Sequence, residues 1–377
     1  MIAGHHAPPP GSHTGVADYA QALEQSLSKT DTVRRDAAGA DVHLYHLGNN
    51  GLHREIYRRA LEVPGVAILH DAVLHHFLLG TLSEREYLDE FVWNYGEWRR
   101  DLARDLWRGR ASAGIDPRYF RYPMLRRIVE RSLAIIVHNP GAAEMARSAV
   151  AQHPPIAIVP HLYIRPGAAD EAAGVAFREK LGIPPAATLF GIFGYLREPK
   201  RIPACIAAFR RLHAIRPKTA LLLAGEIVSK DLERLLAIEA AHPAIRRVAH
   251  LKDRDFSAAL SAVDCCINLR YPGAGETSGI AIRAMGAGKP VILTDNAENS
   301  AWPTETCLRV ESGASEIDEL LDNMILVCEF PGLVREIGRA AQRHVQTVHA
   351  PDRVAEAYHH VLTAAANLAV AEAHPVV

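Results

Sequence analysis

The stretch Cys265–Thr294, CCINLRYPGAGETSGIAIRAMGAGKPVILT, holds the pattern around which the rest of the chain is organised. An apolar, strand-like run (CCINL) passes into a loop carrying Gly273, Gly275 and Glu276. Thr277, Ser278 and Gly279 then open a helix that stops at Gly286–Gly288, and PVILT resumes as a second strand. Ser278 or Thr277 can cap that helix, which leaves its first backbone N–H groups pointing outward. Such an N-terminus, with small and hydroxyl residues around it, is a natural seat for a phosphate or diphosphate. Glu276 does not fit that role, because a carboxylate repels phosphate. It suits a hydrogen-bond acceptor for hydroxyls such as those of a sugar, the plainer alternative being a helix cap.

The same alternation continues outward in both directions. Strand-like runs Leu189–Gly194, Ala220–Ala224, Arg247–His250, Pro290–Thr294 and Leu308–Val310 alternate with helical patterns at Pro203–His213, Leu232–Ala241, Phe256–Ala262 and Gly279–Gly286. Upstream, Ile2–Gly4, Val42–Leu47, Val66–His70, Ala134–His138 and Ile156–Pro160 alternate with helices at Val16–Leu27, His53–Leu61, Glu84–Arg108 and Pro123–Arg131. Continuously apolar strands separated by helices predict parallel sheets covered on both faces. The alternation breaks once, in the Gly/Pro/Ala-rich stretch after Ile164. The expected fold class is therefore α/β, with two Rossmann-like doubly wound domains facing across a cleft. The predicted boundaries are residues 1–165, a linker 166–186, residues 187–349, and a C-terminal helix and tail at 350–377 that crosses back onto the first domain. Ligands of such domains bind at the carboxyl ends of the strands.

Three more segments carry candidate chemistry. In FGIFGYLREPKR (190–201), Arg197, Lys200 and Arg201 follow a strand ending at Gly194, where basic side chains can neutralise a leaving diphosphate. In PPPGSHTGVADY, Gly11 and Gly15 lie between the first strand and its helix, a place where backbone can approach a ligand. In GVAILHDAVLHHF, His70 and Asp71 end a strand, and His70 is read as a partner for sugar hydroxyls. A metal reading is weak there, since paired His-Asp hydrolase sites need further ligands on helices. His75 and His76 read as packing or helix-surface residues. The D-x-D of Lys252-Asp253-Arg254-Asp255 reads as a helix start, with Asp255 as the cap.

Composition narrows the classes further. The chain has 377 residues, a formal net charge of −1 and five cysteines with no C-x-x-C spacing. Its mass is 41.2 kDa and its pI about 7.1. At about 150 residues per domain, each of two domains can bury its own core without disulfides or structural metal. Near-neutral charge excludes a nucleic-acid-coating protein, so no nucleic acid is expected as a partner. No apolar run spans a bilayer, and the N-terminus does not read as a signal peptide, so a reducing, cytoplasmic setting is expected. The arginine- and tryptophan-rich region 93–131 suggests peripheral contact with the inner membrane face only as a lesser reading. Interleaved Asp101, Asp105 and Glu130 instead describe an ordinary solvated helix face.

Taken in order, PPPGSHTGVADYAQAL, GNNGLH, LHDAVLHH, IIVHNP, VPH, FGIFGYLREPKR, LLLAGE and GETSGIAIRAMGAGKPVI resemble the GT-B glycosyltransferases of retaining family four, over nearly the whole chain. The resemblance implies a metal-independent enzyme without a resident cofactor. It would transfer a sugar from a nucleoside diphosphate, UDP- or GDP-linked, to an acceptor hydroxyl with retention of configuration, in polysaccharide, glycolipid or glycoconjugate biosynthesis. It implies catalytic roles for His70, Lys200, Arg201 and Glu276. Donor binding would fall to Gly15, Gly194, Tyr195, Glu226, Thr277, Ser278, Gly279, Ile280 and Arg283. The acceptor, a sugar, a lipid-linked sugar or a small molecule, would meet Asp71, His138 and Asn139. Two departures stand out. Tyr195 replaces a basic residue, and Arg283 occupies the place of a second glutamate that would accept from ribose hydroxyls, which arginine cannot do. Arg283 could instead pair with Glu276 or reach a phosphate. The alternatives are a non-catalytic sugar- or nucleotide-binding protein of the same fold and a sugar-nucleotide epimerase.

Overall fold

The computed structural model describes residues 1–12, 14–35, 39–167, 171–249 and 251–373. Among the described residues, twelve strands form two six-stranded sheets in which every pairing is parallel. In the first are β1 (Ile2–His6), β2 (Thr32–Arg35), β3 (Val42–Leu47), β4 (Val66–Leu69), β5 (Ala134–Val137) and β6 (Ile156–Ile158). Their order is β2-β1-β3-β4-β5-β6. In the second are β7 (Thr188–Phe193), β8 (Thr219–Ala224), β9 (Ile245–Val248), β10 (Cys265–Asn268), β11 (Val291–Asp295) and β12 (Leu308–Glu311), in the order β12-β11-β10-β7-β8-β9. The central strands are apolar on both faces, as β4 (VAIL) and β5 (AIIV) illustrate, because helices cover each side. The two doubly wound sheets match the expected class.

The chain divides into two compact units. The first comprises residues 1–162, 272–277 and 348–377, and the second 163–271 and 278–347. The C-terminal helix, Pro351–Ala373, belongs to the first unit and packs on the helix Gly15–Leu27. The buried hydroxyls of Tyr19 and Tyr358 are bonded there at 2.9 Å.

Several local expectations are corrected. The helix expected over Glu84–Arg108 is two, Glu84–Tyr95 and Arg100–Arg108. Gly96 separates them at φ +89°, a conformation that a side chain would strain. The helix expected from Pro123 starts only at Arg126, after Met124 at φ +57°. β2 was not anticipated: it is a short edge strand, TVRR, whose residues alternate between half-buried and exposed and so lack an apolar run. β9 begins at Ile245, two residues before the expected start, while His250 lies outside the described residues. The stretch 166–186 carries a helix, Glu171–Lys180, within the second unit; residues 168–170 lie outside the description. Arg178 fastens that helix by donating to the carbonyls of Ala262 and Ala187, both at 2.8 Å, and to Asp264 at 2.7 Å. Asp255 does not cap its helix, which starts two residues earlier at Asp253.

Candidate functional site

In the second unit, candidate residues converge at the carboxyl end of β7. Gly194 ends that strand at φ +80°, and a Cβ there would lie 2.3 Å from Ile280 Cδ1 and 3.2 Å from Lys200 Nζ. Gly194, Lys200 and Ile280 are thus in mutual reach. The neighbouring β8 ends similarly: Gly225 has φ +153°, and a Cβ on it would fall 2.1 Å from the Gly194 carbonyl oxygen. Two adjacent strands are therefore each followed by a glycine at positive φ that a side chain would strain; a Cβ would meet backbone at Gly225 and the end of the Ile280 side chain at Gly194. Gly225 was present in LLLAGE but was not singled out.

Beside Gly194, Ser278 is the N-cap of the helix Gly279–Gly286, its Oγ accepting from Ala281 N at 3.3 Å. Between the two sequence candidates for that cap, Ser278 serves and Thr277 does not. Lys200 ends a short 3-10 turn, Glu198–Lys200, and is buried, with its ammonium donating to the Phe193 carbonyl. Arg201 sits in the left-handed region at φ +56° and turns away into a two-pronged pair with Glu316. Its Nη2 lies 2.6 Å and its Nε 2.9 Å from Glu316 Oε2. That pair raises the already high guanidinium pKa further, chiefly through the hydrogen bond. Of the two basic residues, Arg201 is committed to a buried carboxylate while Lys200 adjoins the glycine turn. Tyr195 is exposed, with the Arg197 guanidinium 5.5 Å from its ring centre. Glu226 is exposed, and its carbonyl accepts from Leu196 N at 2.7 Å. Arg283 stacks its guanidinium over Phe256 at 4.4 Å.

In the first unit, the loop 272–277 is held by its backbone. Ala72 N donates to Ala274 O at 2.8 Å. Gly275, at φ +73°, brings its Cα so close that a Cβ would be 2.5 Å from that of Ala72. Asn139 caps the helix Pro140–Arg147 through Oδ1, and its Nδ2 donates to Gly275 O at 2.8 Å and to Thr277 Oγ1 at 2.9 Å. Glu276 is not a helix cap; its Oε2 accepts from Ala274 N at 2.8 Å. Asp71 accepts from Asn49 N at 2.9 Å, and Asn49 Oδ1 accepts from Phe77 N at 2.7 Å, which gives the GNNGLH motif a structural task. Gly15 begins its helix after the Thr14 cap, with open space where a Cβ would go. His75 bonds to Tyr87 Oη at 2.8 Å and to the Tyr122 carbonyl, a packing role as expected.

His70 and His138 belong to a larger arrangement not visible as one motif. His5 in β1, His46 in β3, and His70, His138 and His161 just after β4, β5 and β6 come from five consecutive strands of the sheet. The rings of His46, His70, His138 and His161 surround the buried Tyr19 ring at 4.7–6.1 Å. Burial, first among the causes, lowers the pKa of each; His5 and His138 fall to about 4. The imidazoles are therefore neutral at neutral pH. The signal in the sequence was the recurrence of histidine at successive strand ends: IAGHH, HLYHL, VAILH, AIIVH and AIVPH. Among the described residues no group of three or more His, Cys, Asp or Glu side chains is set to hold a metal ion.

No protein-family model matches the sequence, and no curated protein matches it. Solved structures do resemble it. A sucrose-phosphate synthase from Thermosynechococcus elongatus superposes with a TM-score of 0.66 at 15% identity, covering 98% of this chain and 99% of that one. WaaG, a glycosyltransferase involved in lipopolysaccharide biosynthesis, gives 0.63 at 14% identity over 95% of this chain and 99% of its own. HepE from Anabaena, in complex with UDP-glucose, gives 0.64 at 14% identity over 96% and 99%. The chain has the GT-B glycosyltransferase fold.

Proposed function

We propose that this protein is a glycosyltransferase that moves a sugar from a nucleoside diphosphate to an acceptor hydroxyl with retention of configuration. The observation that carries the reading is the meeting of Gly194, Lys200 and Ile280 beside the Ser278-capped helix in the second unit. Glycine turns at two adjacent strand ends, a buried ammonium and the N-terminal amides of the helix form a seat suited to a diphosphate. As the bond to the sugar breaks, charge grows on the leaving phosphate. Lys200 and the amides at Gly279 and Ile280 stabilise that charge without reorganising. The departing phosphate oxygen then accepts the proton of the attacking hydroxyl, so no protein base is needed on that side. His70 and Glu276 of the first unit supply acceptors for sugar hydroxyls, and the acceptor is read as a sugar, a lipid-linked sugar or a small molecule. The reaction as written requires no metal. The likeness in fold to WaaG, a glycosyltransferase, and to HepE, solved in complex with UDP-glucose, supports the donor class.

Thermal melting against UDP, GDP, dTDP and ADP, each with EDTA, tests the reading. A ligand at 100 times its dissociation constant stabilises by about 2.7 kcal/mol, a visible shift. The expected result is a response to one nucleotide, followed by slow hydrolysis of its sugar conjugate. Binding with no turnover of any sugar conjugate, with or without acceptors, would favour a non-catalytic binding protein. No response to any nucleotide would overturn the donor seat.

A further inference from the structure

The row of histidines in the first unit contains a continuous hydrogen-bonded chain. The Nε2 atoms of His5 and His46 are 2.8 Å apart, and His46 Nδ1 is 2.9 Å from His70 Nε2. Beyond the end of that chain, His5 Nδ1 lies 3.4 Å from Glu24 Oε2, an ion-pair distance without hydrogen-bond geometry. The Arg35 guanidinium holds that same oxygen, through Nε at 3.0 Å and Nη2 at 2.8 Å. His46 is fully buried, which shuts out water, and among the described residues its ring nitrogens bond only to His5 and His70.

A neutral imidazole carries one N–H and one lone pair, so each link between two rings needs one donor and one acceptor. Only two arrangements satisfy both links. In one, His5 carries its proton on Nδ1, His46 Nε2–H donates to His5, and His70 Nε2–H donates to His46. His70 Nδ1 is then a lone pair. In the other, every proton moves to the opposite nitrogen and His70 presents Nδ1–H. The second arrangement sets the lone pair of His5 Nδ1 against the Glu24 carboxylate. The first sets an N–H there. The described residues give His70 Nδ1 no hydrogen bond, whereas His46 and His70 have every other ring nitrogen engaged within the chain.

We propose that Arg35, Glu24, His5 and His46 are positioning residues that fix the tautomer of His70, so that its Nδ1 accepts a hydrogen bond from a ligand hydroxyl. The hydroxyl belongs to a sugar if the glycosyltransferase reading holds, and that part rests on it; the tautomer does not. The surroundings agree. The pKa of His5, His46 and His70 is lowered by burial first, which keeps the rings neutral so that the one-proton count applies. His53 Nδ1 bonds to the His46 carbonyl, and His138 Nδ1 to the Val159 carbonyl, so neither competes for the chain.

Long-range proton–nitrogen NMR on protein labelled with 15N-histidine reads each tautomer directly, with assignments from His5→Gln, His46→Gln and His70→Gln. The expected result is Nδ1–H on His5 and Nε2–H on His46 and His70. Glu24→Leu removes the acceptor opposite His5 Nδ1 and leaves the Arg35 guanidinium nearby, so it should shift His46 and His70 toward Nδ1–H. His70 protonated on Nδ1 in the unmodified protein, or tautomers unmoved by Glu24→Leu, would overturn the proposal. Binding is then read with UDP-glucose and GDP-mannose against UDP and GDP. Glu24→Leu should weaken the sugar conjugate about tenfold and leave the bare nucleotide unchanged. If the tautomers follow the scheme while neither conjugate binds either protein, the relay stands and the glycosyltransferase reading fails.

Discussion

Asn139 Nδ2 donates to Thr277 Oγ1 at 2.9 Å, across 138 positions of sequence. The same side chain caps its own helix, so one amide both starts a helix and anchors the loop that carries Glu276. Asn139→Ala should cost about 1 kcal/mol for the lost cap and a further 1–2 kcal/mol for the acceptors left at Gly275 and Thr277. Asn139→Asp separates the two tasks, since a carboxylate keeps the cap but cannot donate. Urea unfolding of both variants measures the difference; equal losses would mean that the loop draws nothing from this amide.

Lys200 and Arg201 are adjacent but should behave oppositely. Arg201→Ala strands Glu316, which is 1% exposed. Breaking a buried pair costs about 3–5 kcal/mol; Arg201 is partly exposed, so about 1–3 kcal/mol is expected. Arg201→Ala/Glu316→Ala should recover much of the loss. Lys200→Met should leave stability within about 1 kcal/mol and weaken nucleotide binding at least tenfold. Melting curves and nucleotide titrations of the three variants check both halves.

Alanine at three glycines should give a graded series. Gly225→Ala meets backbone at 2.1 Å and should be the most damaging, to the point of lost soluble protein. Gly194→Ala meets the mobile end of Ile280 and should cost less, about 1–3 kcal/mol. Gly15→Ala faces open space at a helix start and should fall within about 0.5 kcal/mol of the parent. Any loss of turnover in that last variant would report a ligand approaching Gly15. Thermal melts rank the series, and a Gly225→Ala protein as stable as the parent would refute the close approach.

Acid should destabilise the first unit well before its carboxylates titrate. Burial holds His5 and His138 down to about 4 and His75 to about 3, against an ordinary 6.5. Because the unfolded chain takes up protons that the folded one refuses, stability is complete above about pH 6.5 and is lost as pH falls toward 4. Each of the three contributes about 1 kcal/mol of loss between pH 6.5 and 5.5, about 3 kcal/mol together. Denaturant unfolding at those two pH values measures it. A pH-independent midpoint over that range would show that the imidazoles are protonated in place.

Much of the architecture was legible because its signals are local. Apolar runs of four to six residues between helical stretches define parallel strands covered on both faces, and the run at 265–294 fixed a strand, a capped helix and the next strand. The Ser278 cap and the glycine after β7 could be read locally, since a strand end and the turn after it, or a helix and its cap, are neighbours in sequence as well as in space. Failures were of another kind. The break at Gly96 and the polar edge strand β2 depend on how a segment docks, and no apolar period records that.

Residue roles set by distant partners could not be read from the chain. Arg201 looked equivalent to Lys200 until Glu316, 115 residues later, claimed its guanidinium. The bonds from the Asn139 amide to Gly275 and Thr277 could not be read from the chain either. The five histidines at strand ends are 41, 24, 68 and 23 positions apart in sequence, as the strands between them and the helices dictate. Parallel pairing lines up strand ends whatever the length of the crossover, so only the sheet makes neighbours of His5, His46 and His70. The sequence by itself determined which segments become strands and helices, through local periodicity and capping. Hydrogen bonding between groups far apart in the chain decided which of the polar side chains are committed to the fold, because partners such as Arg201 and Glu316 meet only once the sheets and helices are packed.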